Sequence, residues 1–96
     1  MLSDFEPSAG VVVLRHMDGD FHVLCLKTKK GKYDLTKGII DPGETALQAA
    51  LREAREEASI TDLKFVFGEQ PHVADRCTMF VAVTDQEPEI LPNPHT

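Results

Sequence analysis

The hydrophobic positions of this chain fall into short clusters that predict strands on either side of one helix. The apolar, β-branched stretch 9–14 predicts a buried strand, and the turn at 18–20 predicts that it pairs antiparallel with the next strand, residues 21–28. Because that second stretch is apolar at odd and even positions alike, we expect it to be largely buried on both faces. Residues 63–67 and 77–84 predict two further strands with a polar loop between them.

The helix is predicted to begin at Thr45 and to end at Ala58. Thr45 and Gln48 have the spacing of a capping box, and no proline or glycine interrupts the segment. At about 100° per residue, a set of apolar side chains shares one arc that should pack on the sheet. These side chains are Leu47, Ala50, Leu51, Ala54 and Ala58. Strands before and after a single helix predict an α/β fold, a mixed β-sheet with the helix on one face.

An acidic edge lies beside the apolar arc of this helix and is formed by Glu53, Glu56 and Glu57. Carboxylates at these spacings repel one another, so a counter-charge is expected nearby. Arg52 lies four residues before Glu56, whereas Arg55 points further round, so one arginine at most can neutralise the cluster. A hard divalent cation such as Mg²⁺ is the natural additional counter-charge, since it prefers carboxylate oxygens. On the helix alone, an ordinary solvated acidic edge is the alternative interpretation.

Composition narrows the class of partner. The 96 residues, 42% of them hydrophobic, suit one packed domain. The formal net charge of −6 argues against nucleic acid or an anionic membrane as the main partner, since either favours a basic surface. The sequence shows no signal peptide and no membrane span, so we expect a cytoplasmic protein.

Four lysines in residues 27–32 form a basic loop, which is either solvated charge or a phosphate contact. Cys25 and Cys77 each lie in a strand-like apolar run, where a free cysteine behaves as a small hydrophobe.

The stretch from Gly38 to Ile60 resembles the signature box of the Nudix hydrolases, the MutT-like family. Gly38, Glu44 and the run REAREEASI at 52–60 have the spacing of that box, with Ser59 where the family has glycine. Residues 33–38, YDLTKG, are similar to the Trp-x-Leu-Pro-Lys-Gly that often precedes it. A left-handed residue is expected at Ser59, where serine costs about 1 kcal/mol more than glycine.

This resemblance implies a pyrophosphohydrolase in which water attacks a phosphorus atom of a nucleoside diphosphate linked to another moiety. It implies Mg²⁺ as the cofactor, with Mn²⁺ as the alternative, and a small-molecule nucleotide as the substrate. Glu53, Glu56, Glu57 and the Gly38 carbonyl would bind the metal. Arg52 would orient Glu53 or Glu56.

For the other site residues, the resemblance implies alternative or candidate roles. Glu44 either joins the catalytic site or pairs with Arg52. Glu53 is the first candidate for the general base and Glu69 the second, while Lys37 and Tyr33 are candidate substrate contacts. Residues 76–82 resemble in general pattern the strand that follows the box in dinucleoside tetraphosphate hydrolases, and this resemblance implies nucleoside or dinucleoside polyphosphates as substrates. A catalytically impaired nucleotide-binding module with the Nudix fold is the alternative function.

The implied fold is the Nudix α/β/α sandwich, whose second helical layer follows the last strand. Residues 85–96 are rich in proline and predict no helix, so we expect one domain over 1–96 that is truncated at its C-terminus. Either the sequence is part of a longer protein, or the uncovered sheet face is buried by a second copy in a homo-oligomer.

Overall fold

The computed structural model describes residues 7–27 and 30–89 and contains one helix within them. Strand β1 is the centre of the main sheet: it pairs in parallel with β7 on one side, and antiparallel with β5 and then β2 on the other. Strand β6 extends the sheet beyond β7, and β3 pairs with β4 separately. The elements are β1 (Ser8–Met17), β2 (Asp20–Val23), β3 (Leu26–Lys27), β4 (Tyr33–Asp34), β5 (Thr36–Ile39), α1 (Ala46–Ala58), β6 (His72–Ala74) and β7 (Cys77–Val83).

The core lies between the sheet and α1. In the first half of β1, every second residue from Ala9 to Val13 is at most 2% exposed, namely Ala9, Val11 and Val13. In the parallel register, Phe80 and Ala82 of β7 lie beside Val11 and Val13 and share this face. Because strand side chains alternate between faces, this pattern commits one face of the sheet to the helix. The predicted mixed sheet with a helix on one face is confirmed.

The helix forms where its local signals predict. Thr45 caps it, its side chain accepting from the Gln48 N–H while the Gln48 side chain accepts from the Thr45 N–H, so the capping box is confirmed. The face that is buried is composed of alanines, including Ala49, which the predicted arc omitted. Leu51 is instead 37% exposed. Small side chains let the helix axis approach β1 closely. The larger Leu51 lies outside this alanine-lined contact.

The C-terminal end of α1 depends on a long-range contact. Ser59 adopts the left-handed conformation at φ 58°, as predicted. Its N–H donates to the Arg55 carbonyl, and the N–H of Ile60 donates to the Ala54 carbonyl. The Gln86 amide closes this end, with Nε2 donating to the Ser59 carbonyl at 2.7 Å. Its Oε1 accepts from two backbone N–H groups that follow the helix, those of Thr61 and Asp62.

Two strand predictions are wrong in part. Residues 21–28 do not form one buried strand: β2 is exposed along its whole length, and the chain leaves the sheet at Leu24 and Cys25, so Cys25 is exposed. This stretch lies at an edge, where the helix does not reach it. Thr28 and Lys29 lie outside the described residues, as does the part of the proline-rich tail from residue 90 onward.

Residues 63–67 form a single bridge from Lys64 to Val83 instead of a strand. Only one aromatic residue of this segment, Phe65, packs on Phe80, while Phe67 is 62% exposed. An apolar alternation does not distinguish a strand from a turn that inserts one ring into the core. The polar loop predicted after it contains β6, three exposed residues that are too few to show a hydrophobic alternation. Among the described residues, no helix is long and apolar enough to cross a membrane.

Candidate active site

Strand β5 and helix α1 meet at Gly38. This residue pairs with Ala9 at the start of β1, and the Glu53 carboxylate lies directly over its Cα. A Cβ atom at position 38 would collide with all the carboxylate atoms of Glu53. Glycine therefore lets the Glu53 carboxylate rest against the β5 backbone, and a larger residue here would force that side chain to move.

Arg52 links the helix to the loop before it and to β5. Its Nε and Nη2 donate to the two oxygens of Glu44, at 2.8 Å and 3.0 Å. Its Nη1 donates to Glu53 and Glu56, both at 2.9 Å, and Nη2 also donates to the Ile39 carbonyl at 3.0 Å. These bonds raise the pKa of Arg52, with the bond to Glu44 as the largest cause. One guanidinium thus fixes three glutamates and the end of β5.

Glu44 pairs with Arg52, which is one of the two roles expected for it. The Arg52 hydrogen bonds are the main cause of the lowered pKa of Glu44, followed by the N–H of Asp41, which donates to Glu44 at 2.9 Å. Asp41 also lies 3.5 Å from the Arg52 Nε. The sequence analysis did not predict this contact with the arginine.

Glu57 has the opposite electrostatic setting. Its Oε1 accepts the backbone N–H of Lys37 at 2.9 Å, and burial raises its pKa to about 7 in spite of that bond. The charges of Glu53, Asp34 and Glu56 raise it further. Negative charge around Glu57 is therefore not fully offset by the residues of the site.

The donor set suits a hard divalent cation, but the carboxylates are not arranged around one point. Across residues 7–27 and 30–89, no three histidine, cysteine, aspartate or glutamate side chains are grouped so as to hold a metal ion. Arg52 draws Glu53 and Glu56 toward itself, whereas Glu57 turns to β5. The uncompensated charge at Glu57 and the oxygen-only chemistry fit Mg²⁺, provided that the glutamate side chains rotate.

The other predicted residues lie around this cluster with weaker connections. The Lys37 ammonium is 3.4 Å from Asp34, both side chains being largely exposed. Tyr33 in β4 is 71% exposed. Glu69 is also exposed, and among the described residues no hydrogen bond or ion pair joins it to the cluster.

Residues 4–95 match the family described as the NUDIX domain, and the chain belongs to this family. The match covers nearly the whole sequence, including the stretch from Gly38 to Ile60 that resembles the signature box. The predicted membership is therefore confirmed.

Known proteins with the same fold include a sequence relative and several solved structures. The asymmetrical bis(5'-nucleosyl)-tetraphosphatase of Caenorhabditis elegans is 39% identical over 67 residues, which are 68% of this chain and 49% of that protein. The chain thus spans about half the length of this curated relative. A C. elegans Ap4A hydrolase crystallised as a binary complex has a TM-score of 0.72 at 26% identity, over 90% of this chain and 72% of that one.

A more distant neighbour shows the fold alone. The NUDIX domain of Shewanella oneidensis NrtR, crystallised with ADP ribose, has a TM-score of 0.69 at 16% identity, over 95% of this chain and 68% of that one.

Proposed function

We propose that this chain carries the catalytic site of a Nudix pyrophosphohydrolase acting on nucleoside or dinucleoside polyphosphates. The observation that carries the proposal is the cluster at Gly38, where one arginine orients three glutamates and a fourth retains uncompensated charge. Self-repelling charge at a fixed position is typical of functional sites and has no structural benefit here. The similarity to a C. elegans enzyme named for dinucleoside tetraphosphates favours that substrate class.

Each residue of the cluster has a proposed role. Glu53, Glu56, Glu57 and the Gly38 carbonyl would hold Mg²⁺, or Mn²⁺ in its place. A bound metal neutralises phosphate oxygens and makes bound water more acidic. Arg52 keeps the glutamates oriented, as partners of metal ligands commonly do.

Proton transfer is assigned to Glu53. Its Oε2 accepts from Arg52, which leaves Oε1 to receive a proton from the attacking water. Lys37 and Tyr33 remain the proposed substrate contacts, because both are exposed and lie in the short segment of chain that leads into Gly38. A small nucleotide, and not a nucleic acid, is the proposed partner, consistent with the net charge of −6.

A nucleotide panel assayed with and without Mg²⁺, with identification of the products, tests this function. We expect hydrolysis of an anhydride bond in a nucleoside or dinucleoside polyphosphate, dependent on the metal. No hydrolysis of any member of the panel with Mg²⁺ or Mn²⁺ present would refute the enzymatic proposal.

The second candidate is a nucleotide-binding module with impaired catalysis. It is favoured by the engagement of Glu53 and Glu56 with Arg52, which leaves no group of three carboxylates arranged for a metal within the described residues. Equilibrium dialysis of the same nucleotides separates the two candidates. A module would bind a nucleotide equally well with and without Mg²⁺ and would leave it intact.

Self-association through the sheet face opposite α1 is a further proposal. Val12, Leu14 and Val81 point to that face, because they alternate with the core residues of β1 and β7, and they are only partly buried. Near them Phe21 is 54% exposed and contacts Phe67. Light scattering tests this: we expect a dimer or larger oligomer, and a monomer at all concentrations would contradict it.

A further inference from the structure

Gly10 of β1 lies where the backbone of β5 comes very near to β1. It pairs with Lys37, and a Cβ atom built at Gly10 would meet the Thr36 carbonyl oxygen, with the Lys37 Cβ at 2.5 Å and the Lys37 Cα at 2.9 Å. Side-chain Cβ atoms essentially never come so near to other heavy atoms. Two of these atoms belong to the backbone, so no rotation of a side chain could relieve the collision.

A buried hydrogen bond holds β5 at this distance. Thr36 is 1% exposed, and its Oγ1 donates to the Val11 carbonyl at 3.0 Å. The bond joins β5 to the residue of β1 next to Gly10. The close approach is thus a fixed feature of the strand pair.

The backbone of β5 also contacts two glutamates of α1. The Lys37 N–H donates to Glu57 at 2.9 Å, and Gly38 lies against the Glu53 carboxylate. Gly10 alternates with Ala9 and Val11, whose side chains face the helix, so position 10 faces the other side of the sheet. A methyl group there would displace β5 from its present position against β1, and so change its distance to the glutamates.

We propose that Gly10 is a positioning residue for the active site: its lack of a side chain sets the distance between the β5 backbone and Glu53 and Glu57. The assignment rests on the proposed function for its catalytic consequence, but its geometric part does not. Gly10 contacts neither glutamate and acts only through Thr36, Lys37 and Gly38.

The test compares Gly10→Ala with Val13→Ala. Val13 lies in the same strand and is 2% exposed, but it is beyond the β1 residues that pair with β5, Ser8 to Val11. Its truncation lowers stability without touching β5. Both variants are first melted to find a temperature at which each is fully folded. Then kcat, KM, the Mg²⁺ concentration for half-maximal rate, and hydrogen exchange of the Lys37 amide without metal are measured.

For Gly10→Ala we expect kcat to fall about 10- to 100-fold, because a displacement of roughly 1 Å in a catalytic site has effects of that size. The half-maximal Mg²⁺ concentration should rise, and KM should change less than kcat. Exchange of the Lys37 amide should be at least about tenfold faster, because its bond to Glu57 is lost. Val13→Ala should retain the wild-type values of all four quantities.

The proposal is overturned if Gly10→Ala keeps wild-type exchange at Lys37, or if Val13→Ala loses as much kcat as Gly10→Ala. If the wild-type protein hydrolyses no nucleotide, the proposed function fails, but the exchange measurement still decides the geometric part. Should Gly10→Ala not fold, Thr36→Val replaces it. That variant removes the bond to Val11 at constant size, and unchanged exchange at Lys37 would again overturn the proposal.

Discussion

The C-terminal end of α1 and its acidic edge are both held by side-chain hydrogen bonds, but only the bonds at the acidic edge involve charged side chains. At its C-terminal end, one neutral amide, Gln86, pairs with the Ser59 carbonyl and with the next free N–H groups, and no charge is involved. At its acidic edge, Arg52 bonds several carboxylates at once, and Glu57 is left with surplus negative charge. The first arrangement serves stability. The second retains repulsion that a purely structural surface would lose, which is why we place the chemistry there.

Buried polar side-chain atoms have hydrogen-bond partners at both flanks of α1, its C-terminal end and its acidic edge. Within the described residues, no buried side-chain nitrogen or oxygen atom is without a partner. What distinguishes the acidic edge is therefore charge and not unsatisfied polarity. Substitutions that remove charge but keep shape separate these two properties.

Glu57→Gln should have the largest effect, lowering kcat by about two to three orders of magnitude because it removes a proposed metal ligand. Glu56→Gln should act in the same direction. A steady-state assay with saturating Mg²⁺ measures this, with Glu87→Gln, an exposed site far from the cluster, as the matched control. Wild-type kcat in both cluster variants would contradict the proposed roles.

The same substitution has a pH-dependent effect on stability. The pKa of Glu57 is about 7 in the folded protein against about 4.5 when unperturbed, so the folded state holds this proton more tightly between those values. Ionised Glu57 therefore destabilises the protein above pH 7, and the penalty fades as pH falls toward 4.5. Without metal, Glu57→Gln should raise the Tm relative to wild type more at pH 8 than at pH 5.5. An equal difference at both would show that Glu57 has an ordinary pKa.

Arg52→Lys should lower kcat about 100-fold while keeping the positive charge, because an ammonium cannot bond Glu44 in two places and still reach Glu53. The pKa of Glu44 should also return toward its ordinary value, measured by carbon NMR titration. Arg55→Lys, at an exposed position on the same helix, is the control. If charge alone sufficed at Arg52, the variant and its control would have equal kcat.

Gln86→Ala tests the other flank and should affect stability without changing the chemistry. Loss of its bonds leaves the Ser59 carbonyl and the N–H groups of Thr61 and Asp62 without this partner, so the free energy of unfolding should fall by about 1 to 3 kcal/mol. Denaturant melts measure this, and kcat of the folded variant should stay at the wild-type value. Gln70→Ala, an exposed loop position, provides the control.

Ser59→Gly should have the smallest effect. Its φ of 58° is a conformation that glycine adopts without strain, so the variant should gain at most about 1 kcal/mol of stability. Thermal melts and kcat are measured together. A loss of activity in this variant would mean that Ser59 has a role beyond ending the helix.

The sequence predicted best what depends on near neighbours along the chain. The capping box at Thr45 and the left-handed Ser59 are local, because the hydrogen bonds that fix them span a few residues. The spacing of the box glutamates on one helix edge is equally local. The contact between Arg52 and Glu56 is local as well, because the two residues are one turn apart on the helix.

The edges of the sheet were predicted worst. Whether an apolar stretch is buried depends on what covers it, and neither β2 nor the segment around Phe65 carries that information in its own residues. Strand β6 forms because Asp75 and Arg76 take left-handed conformations that turn the chain back along β7. The stability of β6 therefore comes from its backbone pairing with β7 and not from a hydrophobic pattern.

The sequence by itself therefore determined the family, the helix and the identity of the charged groups, since these follow from residue type and short-range spacing. Tertiary structure decided how those groups are connected. The pairing of Glu44 with Arg52, the raised pKa of Glu57 and the absence of space for a side chain at Gly10 all arise where β5 lies between β1 and α1. Such effects depend on distances between segments far apart in the chain, which only the folded packing sets.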